Sequence, residues 1–181
     1  LVGRNIQNLE RAAEEIKNEG GAEISVLTDV NSGIRDADII VTVTSAVDAV
    51  IHPADLKPGA VVCDVARPRD VSVQVARERN DVLVIEGGVV AVPGDVNFNF
   101  NFGFPKKTAY ACMSETMILA LESRYENFTL GKEVSVGQVK AISALAARHG
   151  FKIAGFRSFE KSVSAEKIAE IRKNARRKLA Y

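Results

Sequence analysis

Three short apolar runs, Ile39–Thr44, Ala60–Val65 and Val82–Ile85, recur at intervals of about twenty residues, and each is rich in β-branched side chains. Val71–Arg79 between the last two reads as a helix, and residues 47–56 as a short irregular or helical link. Upstream, Leu9, Ala12, Ala13 and Ile16 follow helical spacing over Asn8–Asn18, Gly20-Gly21 stops that helix, and Ile24–Leu27 reads as another short strand. Strands alternating with helices in this way argue for a parallel sheet with crossover helices. Ile39–Thr44 shows no polar alternation, as expected of a parallel strand buried on both faces. The expected fold class is α/β: a Rossmann-like, doubly wound parallel sheet.

Leu1-Val2-Gly3-Arg4-Asn5 reads like the end of a buried strand running into a helix. The glycine-rich turn that follows the first strand of such sheets is absent. The first strand is therefore expected to be missing and the chain to be truncated at its N-terminus. Loss of that central strand strips its neighbours of backbone partners. Residues 1–181 alone are expected to be inactive.

After Pro105 the pattern turns helical. Thr108–Asn127 carries Tyr110, Met113, Met117 and Leu121 on one face; Val136–His149 is closed by Gly150; Ala165–Leu179 has an Ile168, Ile171, Ala175 stripe. In Asn97–Phe102 asparagine and phenylalanine alternate, which suits an edge strand or an active-site loop. The expected division is a partial dinucleotide-binding domain over residues 1–105 and a helical C-terminal extension over 106–181.

No apolar run reaches the ~18 residues that span a membrane, and no signal-peptide pattern is present. Two cysteines, Cys63 and Cys112, make no disulfide framework, so a reducing, cytoplasmic setting is the default. Residues 151–181 hold nine Lys/Arg against three Glu, a net +6, which leaves −5 for residues 1–150. That basic tail suits an acidic partner, or is a solvated helix face. No nucleic-acid partner and no metal site are expected.

Four segments are candidates for cofactor binding. Gly3-Arg4-Asn5 stands at a strand end where NAD enzymes place an acid on the ribose hydroxyl; arginine there favours the extra phosphate of NADP. Thr44-Ser45-Ala46 follows a strand directly, and ligands of open α/β sheets bind beyond the carboxyl ends of strands. Asp64, in Asp64-Val65-Ala66-Arg67-Pro68, follows the next strand, and Gly87-Gly88 the one after. Each also has a structural reading: an exposed arginine, a plain loop, a capping carboxylate, a turn.

Cys112 lies in the first turn or two of a helix, where the helix dipole favours a reactive thiolate. Helical geometry groups it with Thr108, Glu115, Thr116 and Leu119. From spacing alone, a small buried hydrophobe is the alternative. Cys63 lies mid-strand and reads as core. His149 ends a helix, and His52 precedes a proline in a loop. Neither has a specific chemical role.

Several of these stretches carry a resemblance. Leu1–Asn5, Ala37-Asp38-Ile39-Ile40-Val41, Asp64 before a proline turn, and Gly87-Gly88-Val89-Val90 resemble the long-chain acyl-carrier-protein reductases best known from cyanobacteria. Tyr125–Gly131 and His149–Lys152 are similar too. Most specific is Ala111-Cys112-Met113-Ser114-Glu115-Thr116-Met117, which looks like the segment around that family's acyl-accepting cysteine. The resemblance implies NADPH as cofactor, an acyl-carrier protein or acyl-CoA thioester as substrate, Cys112 as catalytic acyl acceptor, and a fatty aldehyde as product. Where the family has a histidine shortly after the double glycine, this sequence has Ala91-Val92-Pro93. The rivals are a shikimate-dehydrogenase-like NADP alcohol or amino-acid dehydrogenase and a non-catalytic dinucleotide-binding module.

Overall fold

The computed structural model describes residues 1–20, 22–100, 104–131 and 134–180. In chain order the elements are α1 (Ile6–Glu19), α2 (Val30–Ile34), β1 (Ile39–Thr42), β2 (Val61–Asp64), α3 (Val73–Glu78), β3 (Leu83–Glu86), β4 (Val89–Ala91), β5 (Thr108–Tyr110), α4 (Ala111–Leu121), α5 (Val136–Arg148), β6 (Lys152–Ile153), β7 (Arg157–Ser158), β8 (Lys161–Ser162) and α6 (Ala165–Leu179). Gly21, Asn101 and Phe102, which figure in the sequence expectations, lie outside the described residues.

The chain forms two compact units, Leu1–Ile85 with Val163–Tyr181, and Glu86–Ser162. The first is α/β and Rossmann-like. Its sheet runs β1-β2-β3, with β1 and β2 parallel in the register Ile39↔Val61 to Thr42↔Asp64. Leu83 N donates to Ala60 O at 3.0 Å, where β3 joins β2. Helix α3 provides the crossover between those two strands. Ahead of them, Val2 and Leu27 form a parallel bridge on either side of α1. The segment expected as a strand, Ile24–Leu27, pairs only there and through Ser25 O, which accepts from the Leu1 amino group at 2.6 Å.

Local chemistry explains the helix ends. Asn5 caps α1 by accepting from Asn8 N at 3.0 Å, and Asp29 caps α2 by accepting from Ser32 N at 2.7 Å. Hydrogen bonding from Ser32, by its hydroxyl first and its backbone N second, holds the Asp29 carboxyl below its usual range. Helix α2 packs so closely on the first strand end that a Cβ on Gly33 would stand 2.3 Å from Val2 Cγ2.

Burial in the sheet is one-sided. Ile40, Val62 and Val84 are buried, whereas Ile39, Val41 and Val43 are 72%, 64% and 69% exposed. The expectation of a strand covered on both faces is thus corrected. β1 stands at the edge of its sheet, and no described element lies over its outer apolar row. Helix α6 returns to the opposite ends of the strands. Ile171 and Ala175 are its buried residues, a Cβ on Gly59 would meet the Ala175 methyl at 3.5 Å, and Asn174 Nδ2 donates to Asn80 O at 3.1 Å.

The second unit is built on an antiparallel sheet in the order β5-β4-β6, with Val89↔Tyr110 and Val90↔Ile153 among the pairs. Val92, Ala109, Ile118 and Phe151 form its core, and Met113 and Met117 pack against them from α4. Residues 108–110, expected as helix, are a strand, and α4 stops at Leu121 rather than Asn127. Strand pairing with β4 claims the backbone of 108–110, so the helix begins only at Ala111. Leu121 is correspondingly exposed. Helices α5 and α6 fall where their apolar periodicity places them.

Candidate functional site

At the carboxyl ends of β1 and β2 the chain makes a polar cluster around two buried aspartates. Asp70 is 0% exposed and Asp64 1%. A carboxylate so buried is costly unless hydrogen-bonded. Asp70 accepts from the hydroxyl of Thr42, from Thr44 N at 2.9 Å and from Thr44 Oγ1 at 2.5 Å. Asp64 accepts from the backbone of Ala66 and Val71, both at 3.1 Å. Thr44 Oγ1 in turn accepts from Ala46 N at 3.1 Å. The loop Thr44-Ser45-Ala46 is therefore pinned through Thr44, while Thr44 and Ser45 stay exposed.

This arrangement separates the sequence candidates. Thr44, Ser45 and Ala46 follow the carboxyl end of β1, with Thr44 and Ser45 exposed and Ala46 half-buried. Asp64 turns inward and shapes the loop that follows β2. Asp70 and Thr42, the centre of the cluster, are missed by sequence reasoning. Their partners lie 26 and 28 residues away, and an aspartate in a polar stretch gives no local sign of burial.

Gly3, Arg4 and Asn5 stand together at the end of the Val2 bridge. Gly3 N donates to Leu27 O at 3.2 Å. Asn5 spends its side chain on the α1 cap. The Arg4 side chain is exposed and makes no hydrogen bond or ion pair among the described residues.

Gly87, Gly88 and Cys112 lie in the other unit. Gly88 has φ +82°, a conformation that favours glycine, and its carbonyl accepts from Ala111 N at 2.8 Å, tying it to the start of α4. Cys112 is the second residue of that helix and is exposed. Its position is nearer the helix N-terminus than the sequence implied, because Thr108 belongs to the preceding strand. Glu115 does not address the thiol: its Oε1 accepts from Thr129 Oγ1 at 2.5 Å. Cys63, mid-strand in β2, is half-buried. His149 meets Glu122 Oε1 at 2.5 Å and joins the end of α5 to that of α4. Among the described residues no group of three or more His, Cys, Asp or Glu could hold a metal, and no helix is long and apolar enough to cross a membrane.

The profile of the shikimate / quinate 5-dehydrogenase family matches residues 1–86. The chain is 36% identical over 138 residues to the aminotransferase PigE of a Serratia species, covering 75% of this chain and 16% of that protein. It is 30% identical over 158 residues to a long-chain acyl-[acyl-carrier-protein] reductase of Synechococcus elongatus, covering 84% of this chain and 44% of that protein. The chain thus spans less than half the length of either curated relative.

Proposed function

We propose that this chain is the cofactor-binding and acyl-accepting part of an NADPH-dependent reductase that turns a long-chain acyl thioester into a fatty aldehyde. One observation carries the proposal: Cys112 is an exposed thiol in the first turn of α4. The helix dipole there stabilises a thiolate. Similarity to an acyl-carrier-protein reductase across 84% of the chain supports the substrate class.

The donor set suits a phosphorylated dinucleotide. Arg4, whose guanidinium makes no ion pair among the described residues, is the group for the adenosine phosphate. Thr44 to Ala46 supply a small-residue loop beyond a strand end, Gly3 and Asn5 flank Arg4 at the head of α1, and Gly88, next to Gly87, turns the chain with φ +82°. Asp64 acts by shaping its loop. In this division residues 1–105 hold the cofactor and residues 106–181 carry the nucleophile, in the reducing cytoplasm where Cys112 stays a thiol.

Cys112 Sγ, as thiolate, adds to the thioester carbonyl. The bond to the carrier sulfur breaks, and the carrier leaves as its thiol after taking a proton. The acyl group is then held on Cys112. Bound NADPH would supply the hydride that reduces the acyl carbon. Cleavage of the carbon–Sγ bond then frees the aldehyde and restores the Cys112 thiolate. The carrier is an acyl-carrier protein or coenzyme A.

A second reading is a shikimate-type dehydrogenase in which Cys112 is inert. It is favoured by the family profile, which ends at residue 86, well before that cysteine. Cys112→Ala in the full-length native polypeptide separates the two. Thioester reduction should fall about a thousand-fold or more, with the Kd for NADPH unchanged. Undiminished reduction would favour the second reading.

A further inference from the structure

Helix α6 meets its sheet closely at one point and leaves a groove around it. Gly59 has no side chain, and a Cβ there would stand 3.5 Å from the Ala175 methyl. Asn174 Nδ2 on Asn80 O and Lys178 Nζ on Asp81 Oδ1 fasten the same face of the helix. Val61 and Leu83, the first residues of β2 and β3, are half-buried and alternate with buried Val62 and Val84. They therefore stand on the open face of the sheet, with Ile39 beside Val61.

Val61 and Leu83, with Ile168, Ile171 and Leu179 of α6, line a groove of about 340 Å³. That volume falls within the ~300–1,000 Å³ of small-molecule sites. Apart from two arginines, every side chain of the lining is aliphatic. The lining offers no hydrogen-bonding group to a sugar or a base edge, and no ring on which a base could stack.

The two arginines are Arg172 and Arg176, one helical turn apart. Both are exposed, and neither makes an ion pair or side-chain hydrogen bond among the described residues. Lys178 and Lys167, by contrast, are engaged with Asp81 and Glu170. A second, more open hollow of about 740 Å³ shares Ile168, Arg172 and Arg176 with the groove and adds Lys173 and Arg177. Like charges at this spacing repel one another, and an anion held between them reverses the sign of that energy. The guanidinium fork matches a carboxylate in particular. A hydrocarbon wall beside such a fork suits a single-chain anionic amphiphile. A lipid surface fits less well, because Ile168 and Ile171 are turned to the groove and the sheet while the residues beyond the arginines, Ala165 and Ala169, are small.

We propose that this groove binds a free long-chain carboxylate, its alkyl tail against Val61, Leu83, Ile168 and Leu179 and its head on Arg172 and Arg176. The ligand is bound and not transformed. All these residues belong to the first unit, whereas Cys112 belongs to the second, so the proposal stands apart from the thioester reading.

The test titrates the full-length native polypeptide calorimetrically with dodecanoate, below its micelle concentration. Saturable binding is expected. Decanoate and octanoate should bind more weakly, by about fourfold in Kd for each methylene removed. Dodecanol, which lacks the charge, and dodecyltrimethylammonium, which reverses it, should bind about tenfold more weakly or worse. Arg172→Gln with Arg176→Gln should cost dodecanoate a similar factor, and Arg172→Lys with Arg176→Lys less; both pairs alter exposed side chains that the fold does not use. Val61→Phe should obstruct the tail with the arginines in place. Cys112→Ala should leave dodecanoate binding unchanged. Absence of saturable dodecanoate binding overturns the proposal. So does binding that the glutamine pair leaves unaltered, or that dodecanol matches, or that is lost with Cys112→Ala. Binding to vesicles of phosphatidylglycerol and phosphatidylcholine without binding of dissolved dodecanoate would overturn it in favour of a lipid surface. Arginine-dependent dodecanoate binding in a protein that reduces no thioester would uphold the groove and contradict the thioester reading alone.

Discussion

Asp70 shows how a single residue sets the shape of the candidate cofactor side. Its carboxylate gathers three donors from Thr42 and Thr44, and its carbonyl accepts from Val50 N at 2.8 Å and Ile51 N at 3.0 Å. Asp70→Ala leaves the Thr42 hydroxyl buried and unpaired, at a cost of about 1–3 kcal/mol, and frees the Thr44–Ala46 loop. Denaturant unfolding of the variant should show that loss, and the Kd for NADPH should rise. Unaltered stability would mean that the cluster is not what holds the loop. The residues around it differ in legibility. Thr44 to Ala46 could be found from their place after an apolar run. Asp70 could not, since burial of a charge depends on donors far off in sequence.

At the scale of elements, the sequence was most legible where one periodicity ruled. The apolar repeats of α5 and α6 locate those helices, and the β-branched runs locate β1, β2 and β3. It was least legible where pairing partners decide. Residues 108–110 have helical spacing but are claimed by β4, and Ile39, Val41 and Val43 look like core but lie on the open face of an edge strand. The seat of α6 gives a pH-dependent prediction. Burial alone would raise the Asp81 carboxyl, but hydrogen bonds and charge from Arg79 and Lys178 outweigh it and lower its pKa from 3.8 to about 2. A folded value below the unfolded one adds stability that is complete above pH ~4 and vanishes as pH falls towards ~2. That contribution is about 2 kcal/mol. Unfolding free energies at pH 6 and pH 3 should reveal the decline, and Lys178→Ala should shrink it. A decline of equal size in that variant would contradict the role given to Lys178.

Across the whole molecule, the α/β class of the first unit was plain from alternation alone. The division of the chain was less so. The sequence suggests a boundary after residue 105, whereas the compact units part after Ile85 and the chain rejoins the first unit at Val163. Antiparallel pairing of β4 with β5 and β6 ties Val89–Ala91 to the start of α4 and the end of α5, and the amphipathic face of α6 draws the tail back to the sheet. Thr44–Ala46 and Arg4 belong to one unit and Cys112 to the other. The most direct measurement is the mass of the Cys112 peptide after the full-length native polypeptide meets a long-chain acyl thioester without NADPH. The proposed function requires a gain equal to the acyl group, discharged as aldehyde once NADPH is added. An unmodified peptide, with several chain lengths on both carriers, would contradict it and leave Cys112 a bystander at the head of α4.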